Sequence, residues 1–544
     1  MSQSKSRRQF LQDATKSLGL VGISPWMSQF LIQTIASEAF AQSSSLSDKI
    51  HIFFALPGGP PRWMFDLPLT PKGSATAYSG AFSHTGMGTY VARDGAANSK
   101  AIYKPWYDVE TKYWLPPVWG SKPGGGSFRN CLSNTLFVRG IDQEFNAHEI
   151  GRLRNQSPII GGTSIGGLLA ERTGSSFPGA VSGTIAKAFK GSKFVAPVTL
   201  DYRVTSNVNP ISTATKYFNS RQPTQNEGVT QALAEFDKYA ANKDFSHRGL
   251  VQAKEKADAL IEAGVTIFQD KWNQTYSKYV RLVDEALFGT NTGLFVDNAV
   301  IPVPKGSDVR TKTSSNTMLD PKMSDLRNMI KENQTTVANL ASTYAAIEIL
   351  ITMGLTQVVT TDLGTLSALA ASDTGTKFNL NNDQHDVGSL VSTLATTYYY
   401  RAILNCTEEL IGVLKTQRLY DKTVIQFGAE FNRNPNIDGS GSDHGFKGGS
   451  ALIMSGMITK TSVIGNTKAD TEARYAGTWG LAANHPVRNS KTPIRMNEVV
   501  ITVCKMLGID PFQNRVTNNG SVLLQEDGGL WKPYTNANGE ARNV

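Results

Sequence analysis

Apolar runs of strand length alternate with long helical patterns through the second half of the chain. The strand-like runs cover residues 355–364, 422–428 and 448–456, and the helical patterns cover 388–417 and 497–509. Strands separated by helices usually pair in parallel, and a parallel sheet needs helices over both of its faces. This half of the chain therefore predicts an α/β fold with a mostly parallel central sheet and helices on both faces.

The first half of the chain adds two predicted strands and a helical region. The strands cover 48–59 and 134–141, and residues 60–130 between them are rich in Gly, Pro and Trp and predict long loops. Helical patterns cover 228–288 and 323–353. An apolar stripe at helical spacing predicts packing against the core. Its members are Phe268, Trp272, Tyr276, Tyr279, Val283 and Leu287.

The composition indicates a globular protein and argues against nucleic acid as a partner. Of 544 residues, 40% are hydrophobic and 18% are charged, and the formal net charge is +9. This mild basic bias includes no dense cluster of Lys and Arg of the kind that binds nucleic acid. The three cysteines, Cys131, Cys406 and Cys504, are expected to be buried as small hydrophobic groups, with a single disulfide as the alternative.

The N-terminus carries the features of an export signal. The segment "SRRQFL" matches the twin-arginine signal, and an apolar stretch leads to "AFA", a cleavage motif that ends at Ala41. Pro25 and Gln29 interrupt the apolar stretch, so a permanent membrane span is not expected. The sequence predicts a signal peptide over 1–41, export by the twin-arginine translocase to the periplasm or beyond, and a single α/β domain over 42–544.

Potential metal ligands follow predicted strands in the second half of the chain. In an open α/β sheet, ligands bind beyond the carboxyl ends of the strands. One group lies in "NNDQHDVGS", before the long helix, and the others lie in "AEFNRNPNIDGSGSDHGF", directly after strand 422–428. The predicted site residues are Asp383, His385, Glu430, Arg433, Asp443 and His444.

Carboxylates combined with imidazoles suit a divalent metal. Zn²⁺ is the expected ion, with Mn²⁺, Fe²⁺, Mg²⁺ or Ca²⁺ as alternatives. The expected metal ligands are Asp383, His385, Glu430, Asp443 and His444. Arg433 is expected to bind an anionic oxygen of the substrate bidentately. The alternative for each short motif is an ordinary turn or capping residue.

The other histidines are assigned by their neighbourhoods. His148 in "EFNAHEIGR" and His485 in "AANHPVRN" are further candidate ligands. His51 lies within a predicted buried strand and is expected to be structural, and His247 is expected on the surface of the helical region.

The segment "AEFNRNPNIDGSGSDHGFKGGSALIMSGMITKTSVIGNT" resembles the exported bacterial proteins grouped as domain of unknown function 1501. Their pattern is S-E-F-G-R-T-P, a Gly-rich gap, D-H, an apolar strand and G-x-V-I-G. "NDQH" resembles the W-D-T-H motif of that family, and "PGGPPRWMFDLPLTP" resembles its early segment. The positions in register are Glu430, Phe431, Arg433, Pro435, Asp443, His444 and Gly465.

This resemblance implies a fold and an activity. The family is similar to the alkaline phosphatase and sulfatase superfamily, whose members hydrolyse phosphate or sulfate esters at one or two metals. It implies a large α/β sandwich with a helical insertion at about 228–345. The chain departs from the pattern in the early segment, where Pro60–Met64 holds no carboxylate and only Asp66 is close. Asn382 and Asn432 replace the family's Trp and Gly.

Three functions are compatible with these features. The first is an exported metal-dependent hydrolase of phosphate or sulfate esters, acting on a small anionic substrate. The second is a catalytically degenerate relative that serves as a binding or scaffold protein in the cell envelope, which the missing early carboxylate favours. The third is an enzyme of another class on the same scaffold, such as a transferase or isomerase. Spacing alone identifies no nucleophilic Ser, Thr or Cys.

Overall fold

The computed structural model describes the predicted sheet and most of its surroundings. The predicted signal peptide, His247 and His485 lie outside the described residues, as do 228–263 and 323–333 of the predicted helices. The described residues are 47–68, 106–173, 179–191, 198–199, 264–289, 334–364, 368–371, 377–380, 382–383, 385, 389–435, 442–473, 479–483, 492–512 and 522–533.

Strands and helices within these ranges follow the predicted alternation. The strands are β1 (Ile50–Leu56), β2 (Trp106–Asp108), β3 (Tyr113–Leu115), β4 (Thr135–Asp142), β5 (Ala180–Ser182), β6 (Val198–Thr199), β7 (Val358–Asp362), β8 (Ala368–Ala371), β9 (Lys377–Leu380), β10 (Thr423–Ala429), β11 (Asn432–Pro435), β12 (Ser442–Gly445), β13 (Gly449–Met454), β14 (Ser462–Ile464), β15 (Thr467–Ala469), β16 (Trp479–Ala482), β17 (Ile494–Arg495), β18 (Leu524–Asp527) and β19 (Leu530–Pro533). The α-helices are α1 (Arg129–Leu132), α2 (His148–Gln156), α3 (Ile165–Ala170), α4 (Gly264–Phe288), α5 (Gln334–Thr352), α6 (Ser389–Thr416) and α7 (Met496–Met506).

The central sheet is mixed but mostly parallel. Its strand order is β14-β4-β13-β10-β1-β7-β5-β6, and β17 also pairs with β4. Only β13 pairs in the antiparallel direction, with β10 on one side and β4 on the other. The parallel ladders that flank β1 place Phe54 opposite Phe427 and Thr361. The carboxyl ends of β4, β10, β1 and β7 therefore meet at one edge of the sheet, as the sequence predicted.

Helices cover both faces of this sheet. Successive side chains of a strand point to opposite faces, so Ile425 packs in one hydrophobic core and Val424 in the other. Helices α4, α5 and α6 contribute to the core that contains Ile425. Helices α3 and α7 contribute to the core that contains Val424. The predicted α/β class with helices on both faces is confirmed.

The predicted apolar stripe of α4 packs into the core. Four of its members, Trp272, Tyr279, Val283 and Leu287, are buried, and Tyr276 packs partly buried against them. The side chain of Phe268 lies outside the described residues. Helices α4 and α5 come from the segment expected to form a helical insertion. Their buried side chains join the same core as β1 and β10.

The cysteines also follow the expectation. All three are free and buried, which confirms the prediction of small hydrophobic groups over the single disulfide. Among the helices that the structure describes, none has the length and apolar character needed to cross a membrane.

Candidate metal centre

The candidate site lies at the carboxyl edge of the central strands. Strand β10 ends at Ala429 and continues directly into Glu430. Helix α2 begins at His148, after the loop that follows β4. Strands β11 and β12 form an antiparallel hairpin in which Arg433 pairs with His444. Sheet order therefore gathers side chains that are far apart in the sequence.

Three side chains converge closely enough to hold one metal ion. Ligand atoms of His148, Asp383 and His444 all lie within 4.8 Å of one another. The His148 Nε2 atom lies 3.7 Å from Asp383 Oδ2, and His444 Nε2 lies 3.8 Å from Asp383 Oδ1. Asp383 and His444 were predicted as ligands, whereas His148 was a further candidate only.

His385 adds a fourth group beside these three. Its Nε2 atom lies 3.2 Å from Asp383 Oδ1 and 3.1 Å from His444 Nε2. A tetrahedral ion with bonds of about 2.0–2.1 Å keeps its ligand atoms about 3.3 Å apart. His148, Asp383 and His444 form the converging group, and His385 contacts two of its three members.

The second ring nitrogen of each imidazole faces an oxygen of the protein. His148 Nδ1 contacts Glu430 Oε2, and His444 Nδ1 donates to the backbone oxygen of Asn146 at 2.7 Å. His385 Nδ1 faces Asp443 Oδ1 at 3.6 Å. Metal-binding histidines usually donate the other N–H to a carboxylate or carbonyl, which directs the free nitrogen at the metal. These contacts direct all three Nε2 atoms toward Asp383.

Glu430 and Asp443, which were predicted as metal ligands, support the imidazoles in this structure. Glu430 is buried, accepts the backbone N–H of Gly58 at 3.1 Å, and also contacts His148 and Arg152. Glu430, Asp443 and His385 all lie outside the group of three converging residues, but of these His385 alone turns a ring nitrogen toward Asp383 and His444. Glu430 contacts one nitrogen of His148, and Asp443 faces one nitrogen of His385. The other nitrogen of each ring faces Asp383. In this arrangement the two carboxylates orient imidazoles, whereas the sequence predicted that they bind the metal themselves.

Arg433 is buried and its nitrogens are occupied. Nε donates to the backbone oxygen of Gly59 at 3.0 Å, Nη2 donates to that of Gly58 at 2.7 Å and also pairs with Asp383, and Nη1 faces the backbone oxygen of Ser442 at 3.4 Å. The side chain has no exposed surface. Arg433 therefore has no nitrogen available for the substrate oxygen that it was predicted to bind. Its side chain instead holds Asp383 in place.

This ion pair sets the protonation of Asp383. Burial raises the pKa of Asp383, but the charge and hydrogen bond of Arg433, together with the charges of His385 and His148, outweigh it, so the pKa lies below its usual value. Burial lowers the pKa of Arg433, and Asp383 acts against that change. A carboxylate that stays ionised is the form that binds a metal.

His444 is held by an aromatic stack. Its ring lies 3.8 Å from the Phe431 ring, centroid to centroid, at an interplanar angle of 24°. Burial lowers the pKa of His444, and the positive charge of Arg433 lowers it further. Both effects favour the neutral imidazole, which is the ligand form. A Cβ at Gly59, whose φ is +58°, would overlap the Phe431 ring, so glycine is needed where the chain leaves β1.

The early segment contributes no carboxylate to the site within the described residues. Asp66 is buried in an ion pair with Arg62 and accepts the Ser450 hydroxyl at 2.9 Å. The described residues that follow β1, up to Pro68, hold no other carboxylate. Asp66 therefore stabilises the loop after β1 and has no part in the metal centre.

The main residues that sequence analysis missed come from α2. His148 was weighed only as a candidate, and Arg152 was not considered. The two are four residues apart and so share one face of the helix. That spacing, on a helix after a predicted strand, was the available signal.

Comparison with protein-family models, curated proteins and solved structures gives no match.

Proposed function

We propose that the protein is a metal-dependent hydrolase of phosphate or sulfate esters with an alkaline-phosphatase-like fold. The observation that carries this proposal is the convergence of His148, Asp383 and His444 at the carboxyl edge of the sheet, with His385 in contact with Asp383 and His444. The exposed fraction of these side chains rises from 19% at His444 to 42% at His385, so a small ligand can reach them.

Three imidazoles with one carboxylate favour a transition metal. Zn²⁺ suits nitrogen-rich sites of four ligands, and Mn²⁺ and Fe²⁺ are alternatives, whereas Mg²⁺ and Ca²⁺ prefer oxygen ligands. A divalent ion here would polarise the ester and stabilise negative charge that develops on its oxygens. Glu430 and the Asn146 carbonyl keep the imidazoles of His148 and His444 in the required orientation.

A binding or scaffold role is the second candidate. It is favoured by the early segment, where Asp66 is committed to Arg62. A protein of this kind would keep the fold and bind metal weakly, with a partner protein in the cell envelope.

Elemental analysis of the protein purified without chelators tests the first proposal. We expect one equivalent of a transition metal in the wild type, its loss in His444→Ala, and its retention in the control Asp527→Asn, which alters an exposed carboxylate on β18. Hydrolysis of aryl phosphate and sulfate esters should follow the metal content. Absence of metal after reconstitution would favour the scaffold role, and bound metal without ester hydrolysis would favour a transferase or isomerase.

Export through the twin-arginine pathway is part of the proposal and has its own test. Replacing Arg7 and Arg8 together by lysine should retain the protein inside the cell, because the translocase reads the arginine pair. The matched control is Lys5→Arg, which preserves the pair. Unchanged export of the double variant would contradict the assignment.

A further inference from the structure

Arg152 projects from the same helix face as His148. Residues four apart on a helix have Cβ atoms about 5–6 Å apart. The Nε atom of Arg152 contacts Glu430 Oε1, while His148 contacts the other oxygen of the same carboxylate. Glu430 thus contacts both side chains and links the Arg152 guanidinium to a predicted metal ligand, His148, through a single carboxylate.

Among the described residues, the terminal nitrogens of Arg152 have no hydrogen-bond or ion-pair partner. Within the part of the chain that the structure describes, its only hydrogen-bond and ion-pair partner is Glu430, through Nε. The side chain is 21% exposed. Arg433 differs on both counts, because it is fully buried and its nitrogens face backbone oxygens and Asp383.

Asp362 is a second carboxylate whose charge interacts with that of Arg152. Asp362, at the end of β7, accepts the backbone N–H and the hydroxyl of Thr184, the latter at 2.7 Å. Asp362 therefore caps the turn at Thr184 and makes no ion pair with the partly exposed Arg152 side chain in the described structure.

We infer that the free end of the Arg152 guanidinium binds the tetrahedral oxyanion of the substrate, a phosphoryl or sulfuryl group, beside the metal centre. The inference rests on the proposed function and moves the anion-binding role from Arg433 to Arg152. The planar guanidinium matches two oxygens of such a group through parallel N–H donors. Glu430 holds Nε, so the group is already oriented before the anion arrives.

Anion binding measured by calorimetry tests this assignment. The full protein, with and without bound Zn²⁺, is titrated with inorganic phosphate and separately with sulfate. We expect Arg152→Gln to weaken binding of the preferred anion at least tenfold in the zinc-loaded protein, at unchanged zinc content. The preferred anion separates a phosphate-ester from a sulfate-ester site. The matched control is Arg154→Gln on the same helix, where the arginine pairs with Glu144; its anion affinity should equal that of the wild type.

Glu430→Gln separates anion binding from structural support. This variant disturbs the contact between Glu430 and Arg152 but keeps the guanidinium. It should therefore lower the affinity for zinc more than the affinity for the anion. Unchanged anion affinity in Arg152→Gln would overturn the inference, as would loss of zinc from that variant, which would mean that Arg152 acts only through Glu430. A wild type that binds neither anion also overturns it. A wild type that binds anion through Arg152 but no zinc would refute only the metal-dependent function.

Discussion

His385 Nε2 and His444 Nε2 face each other at 3.1 Å, each beside the Asp383 carboxylate. Two ring nitrogens at this distance need a proton or a cation between them. The Asn146 carbonyl accepts the proton on His444 Nδ1, which leaves Nε2 as the acceptor nitrogen of that ring. This contact is either a hydrogen bond donated by His385 Nε2 or, under the proposed function, a pair of nitrogens that share a metal ion.

Removing His385 should therefore weaken the metal centre directly. We expect His385→Ala to lower zinc affinity by more than the roughly 10- to 100-fold typical of losing an outer partner of a ligand. Asp443→Asn, which alters only the carboxylate 3.6 Å from His385 Nδ1, should have the smaller effect. Competition against a chelating dye measures both affinities, and the visible spectrum of the Co²⁺-substituted protein reports the change in coordination. Equal effects of the two variants would argue against His385 as a ligand.

Arg433 should matter for stability as well as for the site. Arg433→Met leaves the Asp383 carboxylate and the carbonyls of Gly58 and Gly59 without this donor, so we expect the free energy of unfolding to fall by about 3 kcal/mol. The control Arg154→Met removes a partly exposed ion pair with Glu144 and should cost less than about 1 kcal/mol.

Urea denaturation of both arginine variants gives the comparison. Equal losses of free energy of unfolding in the two variants would mean that the buried contacts of Arg433 stabilise the protein no more than the partly exposed ion pair of Arg154 does. The double variant Arg433→Met with Asp383→Asn should lose less free energy of unfolding than the two single variants lose together, because the two side chains share one interaction.

Gly151 and Gly412 provide a matched pair of helix glycines. A Cβ at Gly151 would overlap the backbone of Glu430, whereas one at Gly412 in α6 would meet only the Asn130 side chain at an ordinary 3.5 Å. Alanine at Gly412 should raise the free energy of unfolding by up to about 1 kcal/mol, since alanine favours helix. Alanine at Gly151 should lower it by about 1–3 kcal/mol, as overpacking does.

The same Gly151→Ala variant should also weaken metal binding, because it pushes Glu430 away from His148. Thermal denaturation and a zinc titration of both variants provide the measurement. If Gly151→Ala is as stable as Gly412→Ala, then α2 does not pack on the end of β10 as described.

His51 should make the protein less stable in mild acid. Burial lowers its pKa from 6.5 to about 4, and the hydrogen bond with Gln426 opposes this only in part. Between these values the unfolded chain carries a proton that the folded chain lacks, so stability falls as the pH is lowered. From pH 7 to pH 5 the loss from this group is about 2 kcal/mol.

The variant His51→Gln removes that titration. Its free energy of unfolding, measured in urea at pH 7 and pH 5, should fall by less over this interval than that of the wild type. An identical fall in the two proteins would show that His51 takes no part in the acid sensitivity.

The residue pattern by itself determined the α/β class and predicted a candidate site at the carboxyl edge of the sheet. Alternating apolar runs and helices predicted the parallel arrangement of β1, β7 and β10, because burial on both faces leaves a continuous apolar signature in each strand. Polar residues just beyond those strands then predicted Asp383, His385 and His444 near one another, since parallel strands end at the same edge.

Only the tertiary structure decided which groups meet and in what order. Periodicity reports which face of a segment is buried, but the distance between remote segments depends on strand order, and here that order brings His148 of α2 to Asp383. It also places Glu430 behind His148 and buries Arg433 against the carbonyls of Gly58 and Gly59. Residue type alone cannot distinguish a metal ligand from the group that orients it, because carboxylates and imidazoles serve as both. A difference of a few ångströms in position decides whether a side chain can bind the ion or only orient a ligand.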